Sequence, residues 1–588
     1  MVQPSTSIQI EHSLKHVLRY FVHILKPESS YYWLTIIYGI GISVLSLATP
    51  ISVQMLINTI ANTGMAAPLV VLSVVLFVLL LLSGLLNAMR IHLMDLFARR
   101  FYSRLVADIA LRAIYAVNPF FQDSKKVPLF NRYFDIIVVV NRIPNLLIGG
   151  FTILLQTVVG VVLVSLYHPL FLLFSIVTVA LAWSVWAIWG KPAMRSAMAK
   201  SHAKHEAAAW LEGLAASNGY FKSARHIDDA LRRTDKETGH YIDKHVEHFR
   251  HYFSQNVAFL FLYAAMSAIL LGLGGWLVIQ GQLSLGQLVA AELVFSVVLY
   301  GLSQMGIYLG YFYDLIAAID ELSLFDQIEQ EEPTADTSTD IRDGRVELVH
   351  ARSVARGADV EFHLALPSGA RVLAQCENHG LQREFTHLIK RNERPNSGYV
   401  AVGGVDIDAI NLNTLRQRVI VLNRPTAVET SIRDYLRMCA DASDADRITS
   451  AIRAVDLEVT ISQLEKGLDT SLAVTGWPLS VNETMRLQLA AAILAEPRVL
   501  VLNALYDNMP GDALQHSLDL LQKNAGTTVI HFSNRSDIDR GYSHFMFFQS
   551  QEQRAWTERD SFIEYLRNAK ALAEKSLHTL ESPRNRMR

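Results

Sequence analysis

The sequence predicts an α-helical membrane protein with six spans, followed by a cytoplasmic α/β domain. Three observations predict it: the composition, the distribution of Lys and Arg, and a change of pattern near residue 344. Hydrophobic residues make up 51% of the 588-residue chain and charged residues only 18%, whereas soluble chains average about 25% charged. A net charge of −2 and two cysteines argue against a nucleic-acid-binding surface, a disulfide scaffold and an iron–sulfur protein.

The positive charges are segregated along the chain. Lys and Arg are absent from 28–89, 143–190 and 251–341, whereas 93–142 contains eight and 191–250 contains eleven. Each gap is long enough for two spans of about 20 residues. The predicted spans lie near 31–56, 68–90, 145–166, 170–190, 256–279 and 287–313. Because positive loops stay inside, the basic segments and both termini are predicted to be cytoplasmic, with the protein in the inner (plasma) membrane.

Helical periodicity extends beyond the predicted spans. Apolar residues within 8–26 recur at helical spacing, which predicts an interfacial elbow helix or, alternatively, an ordinary packing helix. The two basic segments read as helices continuing below the bilayer, with hairpin turns at 118–128 and 215–219. The predicted organisation is an elbow at 1–30, a six-span domain at 31–326, a linker at 327–343, an α/β domain at 344–570 and a basic tail at 571–588.

From Gly344 onward, short apolar runs alternate with helical stretches, which is typical of one α/β domain with a parallel sheet. Strands are predicted at 346–349, 360–366, 371–376, 399–402, 419–422, 499–502, 528–532 and 545–548. Helices are predicted at 381–391, 430–440, 446–456, 480–495 and 511–524.

At this point the chain resembles a half-size ABC exporter of the type I secretion group over nearly its whole length. The segments that carry the resemblance are RPNSGYVAVGGVDIDAINLNTLRQRVIVL (394–422), LEKGLDTSLAVTGWPLS (464–480), AEPRVLVL (495–502) and the end of the sixth span (285–322). The resemblance implies a nucleotide-binding-like α/β domain and a dimer of two six-span halves.

The phosphate loop expected from this resemblance is degenerate. A G-x-x-x-x-G-K-(S/T) loop cradles phosphates with backbone N–H groups, a lysine and a hydroxyl that binds Mg²⁺. Here the two glycine positions hold Cys376 and Leu381, and the lysine and hydroxyl positions hold Gln382 and Arg383. Glu377 adds a negative charge. An alternative is that Arg383 grips the phosphate instead, but Mg²⁺ would still lack a ligand.

The other catalytic positions are degenerate too. The metal carboxylate and the general base fall at Asn503 and Ala504, and the γ-phosphate-sensing glutamine falls near Arg424. The switch histidine falls at Asn534, and His531 is interpreted as a structural histidine. No Phe, Tyr or Trp occurs between Val346 and Glu361, so a side chain that would stack on adenine is missing.

The L-S-G-G-Q signature reads Leu479, Ser480, Val481, Asn482 and Glu483. Ser480 is retained, while both glycines and the glutamine are lost, and Glu483 would repel a γ-phosphate. In dimers of the ABC type each ATP lies between one chain's phosphate loop and the other chain's signature. The sequence therefore predicts that this chain supplies neither half of a working site.

Polar residues in the sixth span are candidates for a substrate path. Glu292 is near its start, and Tyr300, Gln304, Tyr308 and Tyr311 follow at near-helical spacing. An intramembrane carboxylate is a functional candidate by default. The alternatives are interhelical hydrogen bonding or, for Glu292, contact with the outer interface.

Three functions remain open. The first is a non-hydrolysing subunit, scaffold or conduit in a transport or secretion complex, a pseudo-ATPase without catalytic residues, bound ATP or bound metal. The second is an ATP-driven exporter of peptides, proteins or small amphiphiles working with an intact partner. The third is an ATP-independent channel or transporter. Expected partners are membrane lipid, a second six-span half (a copy or an intact ABC paralogue) and, through the resemblance, a periplasmic adaptor.

Overall fold

The computed structural model describes residues 14–62, 66–117, 127–331, 340–355, 357–439, 445–535 and 541–569. The chain divides into two compact units between Glu331 and Glu332, a boundary that lies within the predicted linker. They are called here the helical unit and the α/β unit. The start of the predicted elbow helix, residues 118–126 of the predicted turn, residues 332–339 of the linker and the basic tail lie outside the described residues.

The helical unit consists of long helices. They are α1 Leu14–Leu25, α2 Ser29–Leu45, α3 Ala48–Asn62, α4 Ala66–Ile114, α5 Asp135–Asn145, α6 Phe151–Ser165, α7 Pro169–Ala216, α8 Ala224–Ile279 and α9 Leu285–Ser323. Within the described residues, six helical segments are long and apolar enough to cross a membrane. The six spans predicted from the charge gaps are therefore confirmed.

The first predicted span is not one continuous helix, which corrects the prediction for 31–56. It breaks between α2 and α3 at Ser46 and Leu47. Pro50 lies in the first turn of α3, where its ring would clash with the carbonyl of Ser46 if the helix continued. The connection between the first and second spans is predicted at 58–67. It is shorter than that, because α3 continues to Asn62.

The third span, predicted at 145–166, begins earlier and has two helical types. Helix α5 contains Pro144 near its end, and a π-helical turn at Leu146–Gly150 joins it to α6. Proline removes a backbone donor from the helix, and a π turn accommodates the resulting mismatch.

Helices α7 and α8 have 48 and 56 residues, or about 70–85 Å at 1.5 Å per residue. Both greatly exceed the thickness of a bilayer, so the predicted extension is observed. Residues 217–223, which include a 3₁₀ turn at Tyr220–Lys222, join them. The connection thus starts two residues later than the turn predicted at 215–219 and extends beyond it.

Ion pairs fix the polar parts of α5, α7 and α9 to one another. Asp135 on α5 lies 2.6 Å from His205 Nε2 and 2.9 Å from Lys204 Nζ, both on α7. Further pairs are Arg132–Glu321, Arg142–Asp314 and His202–Asp320. Asp135 and Glu321 are almost fully buried. The cationic partner of each carboxylate therefore compensates for the hydration that its charge has lost.

Glycines allow α9 to approach its neighbours closely. A Cβ atom on Gly301 would lie 2.2 Å from Cγ2 of Ile153 on α6. A Cβ on Gly160 of α6 would lie 2.8 Å from Cγ1 of Val294 on α9. Small residues at such crossings permit tight van der Waals packing between membrane helices.

The α/β unit contains two sheets. Its strands are β1 Val346–Ala355, β2 Ala358–Leu366, β3 Arg371–Cys376, β4 Ser397–Val402, β5 Val405–Asp406, β6 Val419–Leu422, β7 Val499–Leu502, β8 Thr528–Phe532, β9 His544–Phe548 and β10 Gln553–Trp556. An antiparallel sheet has the order β2-β1-β4-β5, and the second has the order β10-β9-β3-β8-β7-β6. In the second sheet all pairs are parallel except β9 with β10.

The helices of the unit pack on these sheets. They are α10 His379–Ile389, α11 Leu412–Arg418, α12 Ile432–Arg437, α13 Ala445–Ala454, α14 Glu458–Gln463, α15 Val481–Ala495 and α16 Gly511–Ala525. One core fills the space around α10, with Phe362, Phe385 and Phe548 fully buried. A second core joins α13, α15 and α16. All eight predicted strands are observed, whereas β5, β10, α11 and α14 were not predicted.

Candidate functional site

The positions that the resemblance assigns to the phosphate loop, the metal carboxylate and the switch lie at one edge of the parallel sheet. Strands β3, β8 and β7 are neighbours, and their carboxyl ends lead to Cys376, Asn534 and Asn503. Parallel α/β sheets bind ligands at this edge. The fold thus brings together the residues that correspond to a phosphate loop, a switch and a metal carboxylate.

The segment between β3 and α10 is a short turn, which corrects the predicted helix 381–391. Only Glu377 and Asn378 separate the strand from the helix, because α10 begins at His379. His379 and Gly380 were expected in a loop and are helical instead. The four residues expected between the strand and the helix (377–380) are therefore reduced to two.

Backbone N–H groups of Glu377 and Leu381, at this turn and helix start, bond to the protein itself. The Asn378 side chain accepts a hydrogen bond from the Leu381 N–H at 3.2 Å. The Glu377 N–H donates to the Phe548 carbonyl at 2.9 Å. Burial raises the pKa of the Cys376 thiol to about 12, and the Gln382 N–H, which donates to its sulfur, opposes this in part. Donors that a phosphate loop offers to a ligand are engaged here inside the fold.

The side chains at the phosphate-loop positions differ in burial. Leu381 is fully buried in the core, Gln382 is half-buried and Arg383 is exposed. Glu377 is also exposed on the turn. The turn therefore presents a carboxylate where the resemblance implies phosphates.

Asn503 has a structural role at the metal position. Its amide nitrogen donates to the Asn423 carbonyl at 2.7 Å, and its Oδ1 accepts from the Leu505 N–H at 3.1 Å. A carboxylate at this position could accept the second bond but could not donate the first. Asn503 thus ties the end of β7 to the end of β6, and Ala504 beside it offers no base.

The segment around Arg424, where the resemblance places a glutamine, is held by hydrogen bonds to its backbone carbonyl groups. Gln488 on α15 donates from Nε2 to the carbonyl oxygens of Arg424 at 2.8 Å and Thr426 at 2.7 Å. Gln488 is 9% exposed. The loop is therefore anchored to a helix of its own unit.

His531 is a buried residue of β8. Its Nδ1 lies 2.6 Å from the Tyr542 hydroxyl, and its Nε2 lies 3.3 Å from Asp507 Oδ1. Burial raises the pKa of Tyr542, and the Asp507 charge adds to this. Asn534, at the expected switch position, is exposed, and its N–H donates to Asp507 Oδ2 at 3.0 Å. These contacts support the structural interpretation of His531.

The signature positions form a capping box. Ser480 Oγ accepts from the Glu483 N–H at 3.3 Å, while the Ser480 N–H donates to Glu483 Oε2 at 2.8 Å. Burial alone would raise the pKa of the Glu483 carboxyl, but hydrogen bonds from Ser480 and Thr460 lower it. Val481 and Asn482 form the first turn of α15, and Asn482 donates to the Asn508 carbonyl at 3.1 Å. The helix end is thus closed by its own side chains.

Among the described residues of the α/β unit, one group could hold a metal, although none was predicted. The ligand atoms of Glu384, His387 and Glu393 lie within 4.8 Å of one another. Burial raises the pKa of the Glu384 carboxyl, which accepts a hydrogen bond from the Ser353 hydroxyl. The Glu-x-x-His spacing on α10 was a signal that the sequence analysis missed.

The substrate-path candidates all lie on α9, and two of them pack against other helices. A Cβ on Gly149 would lie 2.3 Å from the Tyr308 hydroxyl, so this ring fits against the π turn. Tyr311 lies under the Arg142 guanidinium, 4.4 Å from Cζ to the ring centroid. Tyr300 is exposed, whereas Glu292 and Gln304 are half-buried. Tyr308 and Tyr311 thus contribute to interhelical packing, and a substrate path stays a prediction.

Arg90 is a buried charge that was not predicted as a candidate residue, because the predicted second span ends at this position. It is 3% exposed, and its guanidinium donates to Thr152 Oγ1 at 2.5 Å and Asn87 Oδ1 at 2.8 Å. In the described part of the chain its Nε has no hydrogen-bond partner. Ten residues, about 15 Å of helix, separate it from Arg100, which pairs with Glu28 beside α1. An ionisable group at this depth is a functional candidate.

Comparison with known proteins supports this fold. Residues 32–212 match the family described as the ABC transporter transmembrane region. Similar proteins include ABC transporter B family member 6 of Arabidopsis thaliana, 29% identical over 29% of this chain and 12% of the relative. The heterocyst differentiation ATP-binding protein HepA of Nostoc sp. is 29% identical over 25% of both chains. The mitochondrial potassium channel ATP-binding subunit of Mus musculus is 28% identical over 34% of this chain and 28% of the relative.

The chain thus spans about an eighth to a quarter of the length of these relatives. A solved structure of a bacterial Atm1-family ABC exporter with ATP bound superposes with a TM-score of 0.77 at 15% identity, covering 94% of this chain and 98% of the other. The fold is therefore that of an ABC exporter, with six candidate membrane helices followed by an α/β unit consistent with a nucleotide-binding domain.

Proposed function

We propose that this chain, which has the fold of an ABC exporter half, is a non-hydrolysing subunit, scaffold or conduit of a membrane transport or secretion complex. Its α/β unit acts as a folded protein-interaction domain, and ATP and Mg²⁺ are not its ligands. The proposal places the α/β unit and the basic parts of α7 and α8 in the cytoplasm. Residues 191–250 contain eleven Lys and Arg, and positively charged loops of membrane proteins stay inside.

The closed turn between β3 and α10 carries the proposal. A nucleotide phosphate needs several free N–H donors at a helix start, and the macrodipole adds to their effect. Here the N–H groups of Glu377, Leu381 and Gln382 bond to Phe548, Asn378 and Cys376. A ligand would have to displace these bonds before it gained its own.

The charge balance supports the same conclusion. Hydrogen bonds to charged groups contribute roughly 1.5–3 kcal/mol each, and a phosphate at this turn would lose those of the lysine and the hydroxyl. The exposed Glu377 carboxylate would repel it in addition. Asn503, engaged with Asn423, leaves Mg²⁺ without its carboxylate.

The second half-site is closed as well. Ser480 and Glu483 form two reciprocal hydrogen bonds at the start of α15. A partner's nucleotide would meet a carboxylate and two side chains in place of glycines. This supports a role in which neither a copy of the chain nor an intact partner obtains a complete ATP site from it.

Partners follow from the fold and the resemblance. The exporter shell needs a second six-span half, either another copy or an intact ABC paralogue. The likeness to the type I secretion group favours a peptide or protein cargo and a periplasmic adaptor. Affinity purification from native membranes tests this: an intact ABC half would identify a subunit role, and recovery of the chain alone would identify a stand-alone protein.

Enzymatic activity is tested on the full chain reconstituted in lipid vesicles. We expect no ATP hydrolysis above that of empty vesicles, with an intact ABC exporter as the positive control. Hydrolysis that is lost in Arg383→Ala would overturn the proposal, because it would show that Arg383 replaces the lysine.

A further inference from the structure

A cavity opens between α7 and α8 where both helices leave the apolar part of the unit. Its volume is about 410 Å³, and its lining includes Lys191 and Arg195 from α7 and Glu247 and His251 from α8. The floor includes Ser196, which is 4% exposed and lies 3.1 Å from His248 Nδ1. The cavity is therefore polar, and its base is held by a bond between the two helices.

The cavity has an excess of positive charge. Glu247, its single acidic lining residue, is already paired with Lys244 at 3.1 Å. The ion pairs formed among the described residues do not include Lys191 or Arg195. Two fixed cations and an ionisable imidazole thus line a space whose one carboxylate is engaged elsewhere.

The cavity lies beside exposed apolar side chains on both helices. On α7 the apolar side chains of Trp186 and Ile188 are exposed just before Lys191. On α8 Phe253 and Val257 are exposed just after His251. Aromatic and apolar side chains next to cations are typical of a membrane interface, and basic pockets between membrane helices suit acidic lipid headgroups.

We propose that this cavity binds the phosphate of an anionic phospholipid headgroup, with Lys191 and Arg195 as the charged ligands. The guanidinium of Arg195 can bind two phosphate oxygens at once, while Lys191 contributes a point charge. The acyl chains would lie along the exposed apolar faces of α7 and α8. The proposal does not depend on whether the α/β unit binds ATP.

The test uses the purified full chain and native mass spectrometry with phosphatidylglycerol or phosphatidylcholine. The site variant is the double substitution Lys191→Gln, Arg195→Gln. The control is Lys222→Gln, Arg225→Gln, which removes the same charge at the far turn of the α7–α8 hairpin. Melting temperatures in phosphatidylcholine establish that both variants are folded.

We expect wild type and control to retain phosphatidylglycerol over phosphatidylcholine and the site variant to bind it about tenfold more weakly. Unchanged binding by the site variant, or equal loss in both variants, would overturn the proposal. A further arm adds inorganic phosphate. If millimolar phosphate displaces the lipid completely, the site takes a free anion and the lipid assignment is wrong.

Discussion

The side chain of Asn378 accepts a hydrogen bond from the backbone N–H of Leu381 at 3.2 Å. This contact caps α10 two residues after β3 ends, where the resemblance implies a phosphate loop. Asparagine is among the strongest N-cap residues. The proposed absence of a phosphate site therefore has a backbone cause as well as a side-chain cause.

Restoring only the lysine and the hydroxyl of the phosphate loop should not restore nucleotide binding. In the double substitution Gln382→Lys, Arg383→Ser, the Asn378 cap and the Cys376 contact with the Gln382 N–H would remain. We expect the melting temperature of this variant to be the same with and without millimolar Mg-ATP. A nucleotide-dependent rise would show that the turn opens readily and that only the side chains are missing.

The signature serine should be a stability residue. Ser480→Ala removes the cap on α15, and such losses cost about 1 kcal/mol. Denaturant unfolding of the full chain, followed by a probe in the α/β unit, measures this. Ser462→Ala is the control, because its hydroxyl bonds only to Val459 within its own helix. Equal stability of the two variants would contradict the role assigned to Ser480.

The hydrogen bond between Thr152 and Arg90 should matter only while the guanidinium is present. Thr152→Val removes the acceptor of a buried charge, which costs about 1–3 kcal/mol. In an Arg90→Met background the same change should cost much less. Thermal unfolding of the four proteins in detergent forms a double-mutant cycle, and additive losses would exclude a coupling between the two side chains.

Lys390 should make stability depend on alkaline pH. Burial lowers the pKa of this amine to about 8, and the nearby Arg416 adds to the effect, whereas an unfolded lysine titrates near 10.4. Between these values the unfolded state binds more protons, so the free energy of unfolding rises with pH. Below pH 8 the buried charge opposes folding.

We therefore expect Lys390→Met to be more stable than wild type at pH 7 and this advantage to shrink between pH 8 and pH 10. Lys466→Met, at an exposed position, is the control and should show no such trend. If the free energies of unfolding of wild type and Lys390→Met change with pH in parallel, the amine is solvated in the folded protein and the prediction is wrong.

Much of the fold follows from sequence patterns with strong physical causes. The Lys and Arg gaps locate six spans because charge is expelled from hydrocarbon. The strand β7 is an uninterrupted apolar run because its side chains enter a hydrophobic core on each face of the sheet. Pro50 could have indicated the break between α2 and α3, and Asn378 could have indicated the early start of α10.

Other features depend on partners that are distant in the sequence. Arg90 looks like the end of a span until Thr152, 62 residues away, is placed beside it. Asn503 looks like a defective metal ligand until its donation to the Asn423 carbonyl is known. Tyr308 and Tyr311 share a helical face, yet their packing is decided by the π turn and by Arg142. Helical or strand periodicity cannot supply such contacts.

Equilibrium binding of Mg-ATP to the purified full chain tests the central claim most directly. A ligand at 100 times its dissociation constant stabilises a protein by about 2.7 kcal/mol, which a melting experiment resolves easily, with an intact ABC exporter measured in parallel. We predict that the unfolding of the α/β unit is unchanged up to millimolar Mg-ATP. A saturable, nucleotide-dependent stabilisation would contradict the account.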